Sequence, residues 1–238
     1  MATLFLIPTP LGDLPVENWV IPAQRERIRH LTRFVVEAAK TARKHLKQLE
    51  LDTPLQALVL DELNEHTPAD ALERLIAPLE AGHDVGLLSE AGCPAVADPG
   101  ANLVRLAHAR GHTVEPLVGP SSILLSLMAS GSQGQRFAFH GYLPVGETER
   151  LAAIRALEKH SREADSAEIF IETPYRNPQL IDALLATLAP ATQLTVACDL
   201  TLPTQTIVSR RAAEWPAIAA EFKKRPAIFV LYAGADRR

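Results

Sequence analysis

The sequence predicts an α/β fold, and three observations predict it. Apolar runs of strand length alternate with segments of helical period along the chain, the pattern of strand–helix units on a largely parallel sheet. The runs in the first half are continuously apolar, as strands covered on both faces are. The alternation fails once: between Val196 and Ser209 two strands are joined at Leu200–Pro203 with no room for a helix, so this pair is expected to run antiparallel.

Taken in order, the first half is expected to hold strands at Thr3–Ile7, Arg33–Val36, Ala57–Leu60, Val85–Leu88 and Thr113–Leu117. One helix is predicted to start near Thr67, with Thr67 as N-cap and Pro68 at its first position. Another starts near Asp98, capped by Asp98 and followed by Pro99, and Gly111 ends it. Beyond Gly119-Pro120-Ser121, a helix at Ile123–Ala129 leads through Gly131 into strands near Phe137–Gly141, Glu168–Ile171, Gln193–Ala197, Gln205–Val208 and Ile228–Tyr232. The expectation is two α/β domains, 1–118 with a mostly parallel sheet and 119–238 with a mixed one.

The 238 residues, 47% hydrophobic, suffice for one large core or two small ones. Lys and Arg number 24 against 28 Asp and Glu, a net charge of 24 − 28 = −4, which is not that of a generic nucleic-acid coat. A basic stretch nevertheless runs from Arg25 to Lys47. Its residues Arg25, Arg29, Arg33, Lys40, Arg43 and Lys44 read equally as a solvated helix surface and as a phosphate-contacting one. The two cysteines, Cys93 and Cys198, lie far apart and lack zinc-site spacing, so free thiols, a reducing compartment and no metal are expected. Met1 to Pro8 has no basic leader and runs into prolines, and no apolar run approaches the ~20 residues that span a bilayer, so a cytoplasmic protein is expected.

In open α/β sheets, ligands bind beyond the carboxyl ends of the strands. Three loops there are unusual. Pro8-Thr9-Pro10-Leu11-Gly12-Asp13 has prolines where a dinucleotide fingerprint has glycines, which suits a rigid wall. Ser89 to Gly100 is built of small residues, Gly and Pro, so a ligand can approach its backbone closely. Within it Asp98 reads as a helix cap, whereas Glu90 fits a ligand hydroxyl, a cation or an ion pair. The third, Val118-Gly119-Pro120-Ser121-Ser122, opens a helix, and either serine reads as an N-cap. No GxSxG elbow or GxxxxGK[ST] loop is present, which disfavours acyl transfer and nucleotide hydrolysis.

In order and wording, five segments resemble the tetrapyrrole methylase superfamily of S-adenosylmethionine-dependent methyltransferases, over nearly the whole chain. They are Leu6-Ile7-Pro8-Thr9-Pro10-Leu11-Gly12-Asp13-Leu14, Leu88-Ser89-Glu90-Ala91-Gly92-Cys93-Pro94 with Asp98-Pro99-Gly100, Gly119-Pro120-Ser121, Phe139-His140-Gly141-Tyr142-Leu143-Pro144, and Ile171-Glu172-Thr173-Pro174-Tyr175-Arg176. Within the superfamily the wording is most similar to the branch that methylates a cytidine ribose 2′-hydroxyl of small-subunit ribosomal RNA.

The resemblance implies two α/β domains, a homodimer, and S-adenosylmethionine in a cleft between the domains. Carried over residue by residue, it implies cofactor contacts from Pro8, Ala91, Cys93, Val96, Ser121 and Ser122, and from Thr173, Leu200, Thr201 and Ala227. The chain departs from that branch at Glu37-Ala38-Ala39-Lys40, where the acid after Glu37 is missing, and at Leu63-Asn64-Glu65-His66, where the preceding His is missing. For a ribose hydroxyl acceptor the candidate bases are Glu37, Glu65 and Glu90. RNA methylation, methylation of a tetrapyrrole-type small molecule, and a catalytically silent S-adenosylmethionine- or RNA-binding role are the three readings that remain.

Overall fold

The four residues Val85-Gly86-Leu87-Leu88 are buried along their whole length and form the middle of a five-stranded sheet in the computed structural model, which describes residues 2–64, 66–68 and 70–234. The chain divides into two compact units, Met1–Ser121 and Ser122–Arg238.

In the first unit the strands are β1 (Thr3–Leu6), β2 (Arg33–Val36), β3 (Val59–Glu62), β4 (Val85–Leu88) and β5 (Thr113–Pro116), in the order β3-β2-β4-β1-β5. All four pairings are parallel. Between them run α1 (Pro22–Ile28), α2 (Ala39–Leu49), α3 (Ala71–Glu80) and α4 (Gly100–Ala109). Alternate strand residues feed two cores. Phe5, Ile7, Phe34, Val36 and Leu88 pack with Trp19, Ile28, Leu46 and Leu49, while Leu4, Val35, Val85 and Leu87 pack with Leu75, Ile76, Leu79 and Leu103. The sheet is therefore covered on both faces, as the apolar runs predicted. The edge strands β3 and β5 are the most exposed of the five, each with solvent-exposed residues at both ends.

Two expected boundaries move. The third strand begins at Val59, two residues late, because Leu55–Ala57 forms a single 3-10 turn after Pro54. The helix expected from Thr67 begins at Ala71, flanked by Asp70. Thr67 Oγ1 instead accepts the Asn64 N–H at 2.9 Å, so the side chain closes a turn in place of starting a helix. At α4, by contrast, Asp98 Oδ1 accepts the Gly100 N–H at 2.7 Å. Gly111, at φ +75°, ends that helix in the left-handed region.

In the second unit, α5 (Ser122–Ser130) leads to β6 (Phe137–Tyr142), α6 (Glu147–Ala164), β7 (Ala167–Ile171), α7 (Asn177–Thr187), β8 (Gln193–Cys198), β9 (Thr206–Arg211) and β10 (Ala227–Tyr232). The order is β6-β7-β10-β8-β9, with β6 and β7 parallel and the other pairs antiparallel, including β8 with β9. The mixed sheet expected from the missing helix is thus present. Phe170 and Phe229 stack at 5.5 Å in a core with Ile154, Leu180, Ile181, Leu184 and Phe222. The helix α5 lies against β10, β8 and β7. Its last carbonyl, Ser130 O, accepts from Gln193 Nε2 and Ser209 Oγ (2.6 and 3.0 Å). The carboxylate of Glu168, fully buried, receives His140 Nε2 and His160 Nδ1 (2.5 and 2.8 Å), binding β6 and α6 to β7. Among the described residues no helix is long and apolar enough to cross a membrane.

A Cβ added at Gly86 would lie 2.6 Å from Phe34 Cδ1 and 2.8 Å from Ile7 Cδ1. Both neighbours are locked in the core, so Gly86→Ala is expected to lower the unfolding free energy by about 1–3 kcal/mol. Urea denaturation checks this, and an unchanged midpoint would contradict the packing described.

Candidate active site

Because every strand of the first sheet is parallel, the loops after β1, β2, β4 and β5 leave from one edge. Three of them are fastened together. Thr9 and Gly92 exchange both backbone hydrogen bonds (2.9 and 3.1 Å), clipping the loop after β1 to the loop after β4. The Cys93 thiol donates to Pro120 O at 3.5 Å, and burial raises it above its ordinary pKa. Gly119 packs on Pro8 so closely that a Cβ would stand 2.2 Å from the proline ring. Pro8 and Cys93 are thereby brought to the segment that ends at Ser121, with Pro8 buried and Cys93 and Ser121 partly so, and Ser122, also partly buried, follows at the start of α5. Ala91 and Val96 are exposed on the same long loop. That loop takes left-handed backbone at Gly92, Ala95 and Ala97 (φ +83°, +66° and +59°). Two of these are alanines, which adopt this region only at a cost met by surrounding contacts.

Two of the three candidate bases meet at this edge. The Glu90 N–H donates to Glu37 Oε2 at 3.2 Å, and Thr41 Oγ1 donates to Glu90 Oε2 at 3.2 Å. The Glu90 side chain is otherwise exposed. Glu65 lies outside the described residues. Further groups complete the edge, and of these Glu62 and His45 are not signalled by the sequence pattern. Glu62 Oε1 accepts the Ala39 N–H at 3.0 Å at the start of α2, and Lys44 pairs with Asp13 at 2.9 Å. His45 is buried beneath, edge-on to Trp19 at 6.0 Å, with Nε2 unpartnered. Burial pulls the His45 pKa below its ordinary value, so the ring is neutral near pH 7.

The basic stretch separates into two groups. Arg25 reaches Leu49 O and Glu50, and Arg29 reaches Glu26 and Asp52, near the far end of α2. Arg33 stands at the amino end of β2, away from Glu37. Lys40, Arg43, Lys44 and Lys47 are exposed on α2, whose opposite side buries Ala42, His45, Leu46 and Leu49. Of these, only Lys44 is held in an ion pair among the described residues.

In the second unit the antiparallel register puts the carboxyl ends of β7 and β8 beside the amino end of β10: Ile171 faces Ile228 and Cys198 faces Ala227. Thr173, Leu200, Thr201 and Ala227 therefore share one edge. Asp199 N–H donates to Pro226 O at 3.0 Å, and Lys224 N–H to Pro174 O at 2.8 Å. Asn177 Nδ2 donates to Phe222 O and Arg225 O (3.1 and 2.7 Å). Arg225 donates from Nε to Asp199 Oδ2 (2.8 Å) and from Nη2 to Thr204 O (2.6 Å) and Thr206 Oγ1 (3.0 Å). Its bond to Asp199 raises the guanidinium pKa further. Burial, with the Asp199 charge, pushes the adjacent Cys198 thiol up to about 11, so it is no nucleophile.

The fit to a polar ligand rests on two orphaned groups. Ser89 Oγ and Thr201 Oγ1 are buried without a hydrogen-bond partner, one at each edge. Buried hydroxyls are ordinarily satisfied, so each has capacity left for a ligand. Most remaining candidates are small or apolar and present backbone groups instead. Among the described residues no cluster of three or more His, Cys, Asp or Glu is placed to hold a metal ion.

Residues 22–216 match the family described as Tetrapyrrole (Corrin/Porphyrin) Methylases. The chain is 32% identical to Ribosomal RNA small subunit methyltransferase I of Pseudomonas aeruginosa over 73% of its own length and 57% of that protein's. It is 32% identical to the protein of the same name from Xylella fastidiosa, over 87% of this chain and 71% of that one. The first match thus spans just over half of the relative's length. Among solved structures the fold resembles diphthine synthase (TM-score 0.66, 16% identity, 98% and 90% of the two chains). It also resembles the methyltransferase CobJ (TM-score 0.64, 18% identity, 100% and 95%).

The buried His45 gives a pH signature. Its folded pKa lies below the ordinary 6.5. Between the two values the unfolded chain binds a proton that the folded chain does not, so stability falls as pH falls through that window. Urea unfolding at about pH 7.5 and about pH 5.5 is expected to show a larger acid loss for the wild type than for His45→Gln. Equal losses in the two proteins would contradict the buried neutral imidazole.

Proposed function

Because the chain belongs to the family of Tetrapyrrole (Corrin/Porphyrin) Methylases, we propose that it transfers a methyl group from S-adenosylmethionine to RNA, the acceptor being a ribose 2′-hydroxyl of small-subunit ribosomal RNA. The observation that carries the RNA acceptor is the placement of α2. Its exposed Lys40 and Arg43 lie in the first turns of α2, which follows the Glu37 loop, and the Glu90 N–H is bonded to Glu37, so a phosphate backbone bound there lies beside candidate bases. The names of the curated relatives point the same way. We take the active form as a homodimer, as the family resemblance implies, in the cytoplasm, as the two widely separated cysteines and the lack of a long apolar run suggest.

In this reading the cofactor contacts are Pro8, Ala91, Cys93, Val96, Ser121 and Ser122, and Thr173, Leu200, Thr201 and Ala227. Ser89 Oγ and Thr201 Oγ1 supply the unused hydroxyls. When bound, S-adenosylmethionine supplies a methyl group already activated by its sulfonium. The chain's own share is alignment, exclusion of water and removal of one proton. A proton of the acceptor hydroxyl would pass to a carboxylate of the chain. Glu90 is the leading candidate: it is exposed at the edge and steadied by Thr41. Glu37 fixes the position of Glu90 through its backbone N–H. Glu65 is a third candidate for the same role.

Calorimetric titration is expected to show S-adenosylmethionine binding that is lost in Ser121→Trp, where the indole fills the space beside Pro120. Labelled methyl should pass to small-subunit RNA, and Glu90→Gln should slow this about a hundredfold or more while cofactor affinity is kept. Cofactor binding with label appearing only on corrinoid or porphyrinoid acceptors would replace RNA by a small molecule. Binding with no transfer to either class would leave a silent binding protein.

A further inference from the structure

Tyr175 is 68% exposed, on a loop that is otherwise closely fastened. Below it, Arg176 Nε and Nη2 donate to the Glu172 carboxylate (3.0 and 2.6 Å), which is buried, and Arg176 N–H closes a turn on Thr173 O at 2.9 Å. Beside it, the Lys224 backbone donates to Pro174 O, and Lys224 itself sits at φ +62°. A non-glycine residue holds that conformation only where neighbours dictate it. Here Asn177 grips the carbonyls on either side, Phe222 O and Arg225 O. The result is a rigid mount whose visible product is an exposed phenol ring with the Lys224 ammonium 5.9 Å from its centroid and Lys223 exposed next to it.

The exposed ring contributes little to the core, while the hydrogen bonds beneath it fix its height and direction. A flat aromatic face flanked by cations is the surface on which unpaired nucleotides stack, the ring taking the base and the ammonium groups the phosphate. The mount also has a meaningful position. Tyr175 is two residues beyond Thr173, and Lys224 three before Ala227, both at the edge that carries the proposed cofactor contacts.

We infer that Tyr175 with Lys223 and Lys224 forms a stacking platform for an unpaired nucleotide of the RNA substrate. The inference rests on the RNA reading of the proposed function. A platform of this kind favours single strands over duplex, because a paired base has no free face to offer. It acts on substrate binding, and it does not touch the cofactor.

The test uses the full-length chain and a short fluorescein-labelled single-stranded RNA, with fluorescence anisotropy and methylation of small-subunit RNA as readouts. Tyr175→Ala is expected to weaken binding and raise KM for RNA about tenfold, Tyr175→Trp to restore both, and Lys224→Met to weaken binding and flatten its salt dependence. Calorimetric binding of S-adenosylmethionine shows that each variant is folded. Equal RNA affinity and KM in the wild type and Tyr175→Ala, with RNA methylation intact, would overturn the platform and leave the RNA reading standing. Absence of both RNA binding and RNA methylation in the wild type would overturn the RNA reading, and the platform with it.

Discussion

In the first unit, β4 is a strand with no surface. Val85, Leu87 and Leu88 are buried, and the space over Gly86 is taken by Phe34 and Ile7. A strand closed on both faces has no room for a reactive side chain, since an unpaired buried charge would cost far more than the packing returns. Reactive and ligand-binding groups are therefore displaced to the strand ends, and parallel pairing puts the carboxyl ends at one edge. The long loop from Ser89 is the direct continuation of this buried strand. Its clip to Thr9 and its contact with Pro120 inherit their positions from the register of β1, β4 and β5.

The second sheet reaches a similar result by another route. Its strands are mostly antiparallel, so loops of opposite chain direction meet at one edge, and side chains rather than shared polarity hold them in place. Arg225 binds the loop after β8 to the residues preceding β10, and Asn177 binds the start of α7 to the same segment. These are charge-assisted or buried bonds, stronger than ordinary surface contacts. They support loops with left-handed residues at Asp199, Thr201 and Lys224. Backbone held this way is preorganised for a ligand, which lowers the ordering cost of binding.

The strands were legible because burial on both faces writes an unbroken apolar run, and the β8–β9 reversal because too few residues separate the two runs to hold a helix. The start of α3 was not legible, since Thr67 and Asp70 are both competent caps and only the bond from Asn64 decides between them. Most cofactor candidates are small or apolar, and only the ordered wording of five segments pointed to them. The side-chain partner of Glu90 was hidden for a different reason. Thr41 belongs to a helix whose composition reads as basic, and its role depends on which turn faces the sheet edge. The positive stretch spans two helices: Lys40, Arg43 and Lys47 face outward on α2, while Arg25 and Arg29, in and just after α1, are occupied by acids.

Hydrogen exchange with and without S-adenosylmethionine tests the central claim most directly, because a cofactor bound mainly by backbone groups must slow exchange where it binds. The expected result is cofactor-dependent protection confined to residues 89–97 and 119–122 and to the segments around 173, 199–202 and 227. Protection absent from these segments, or concentrated elsewhere, would contradict the assignment of the two sheet edges to cofactor binding.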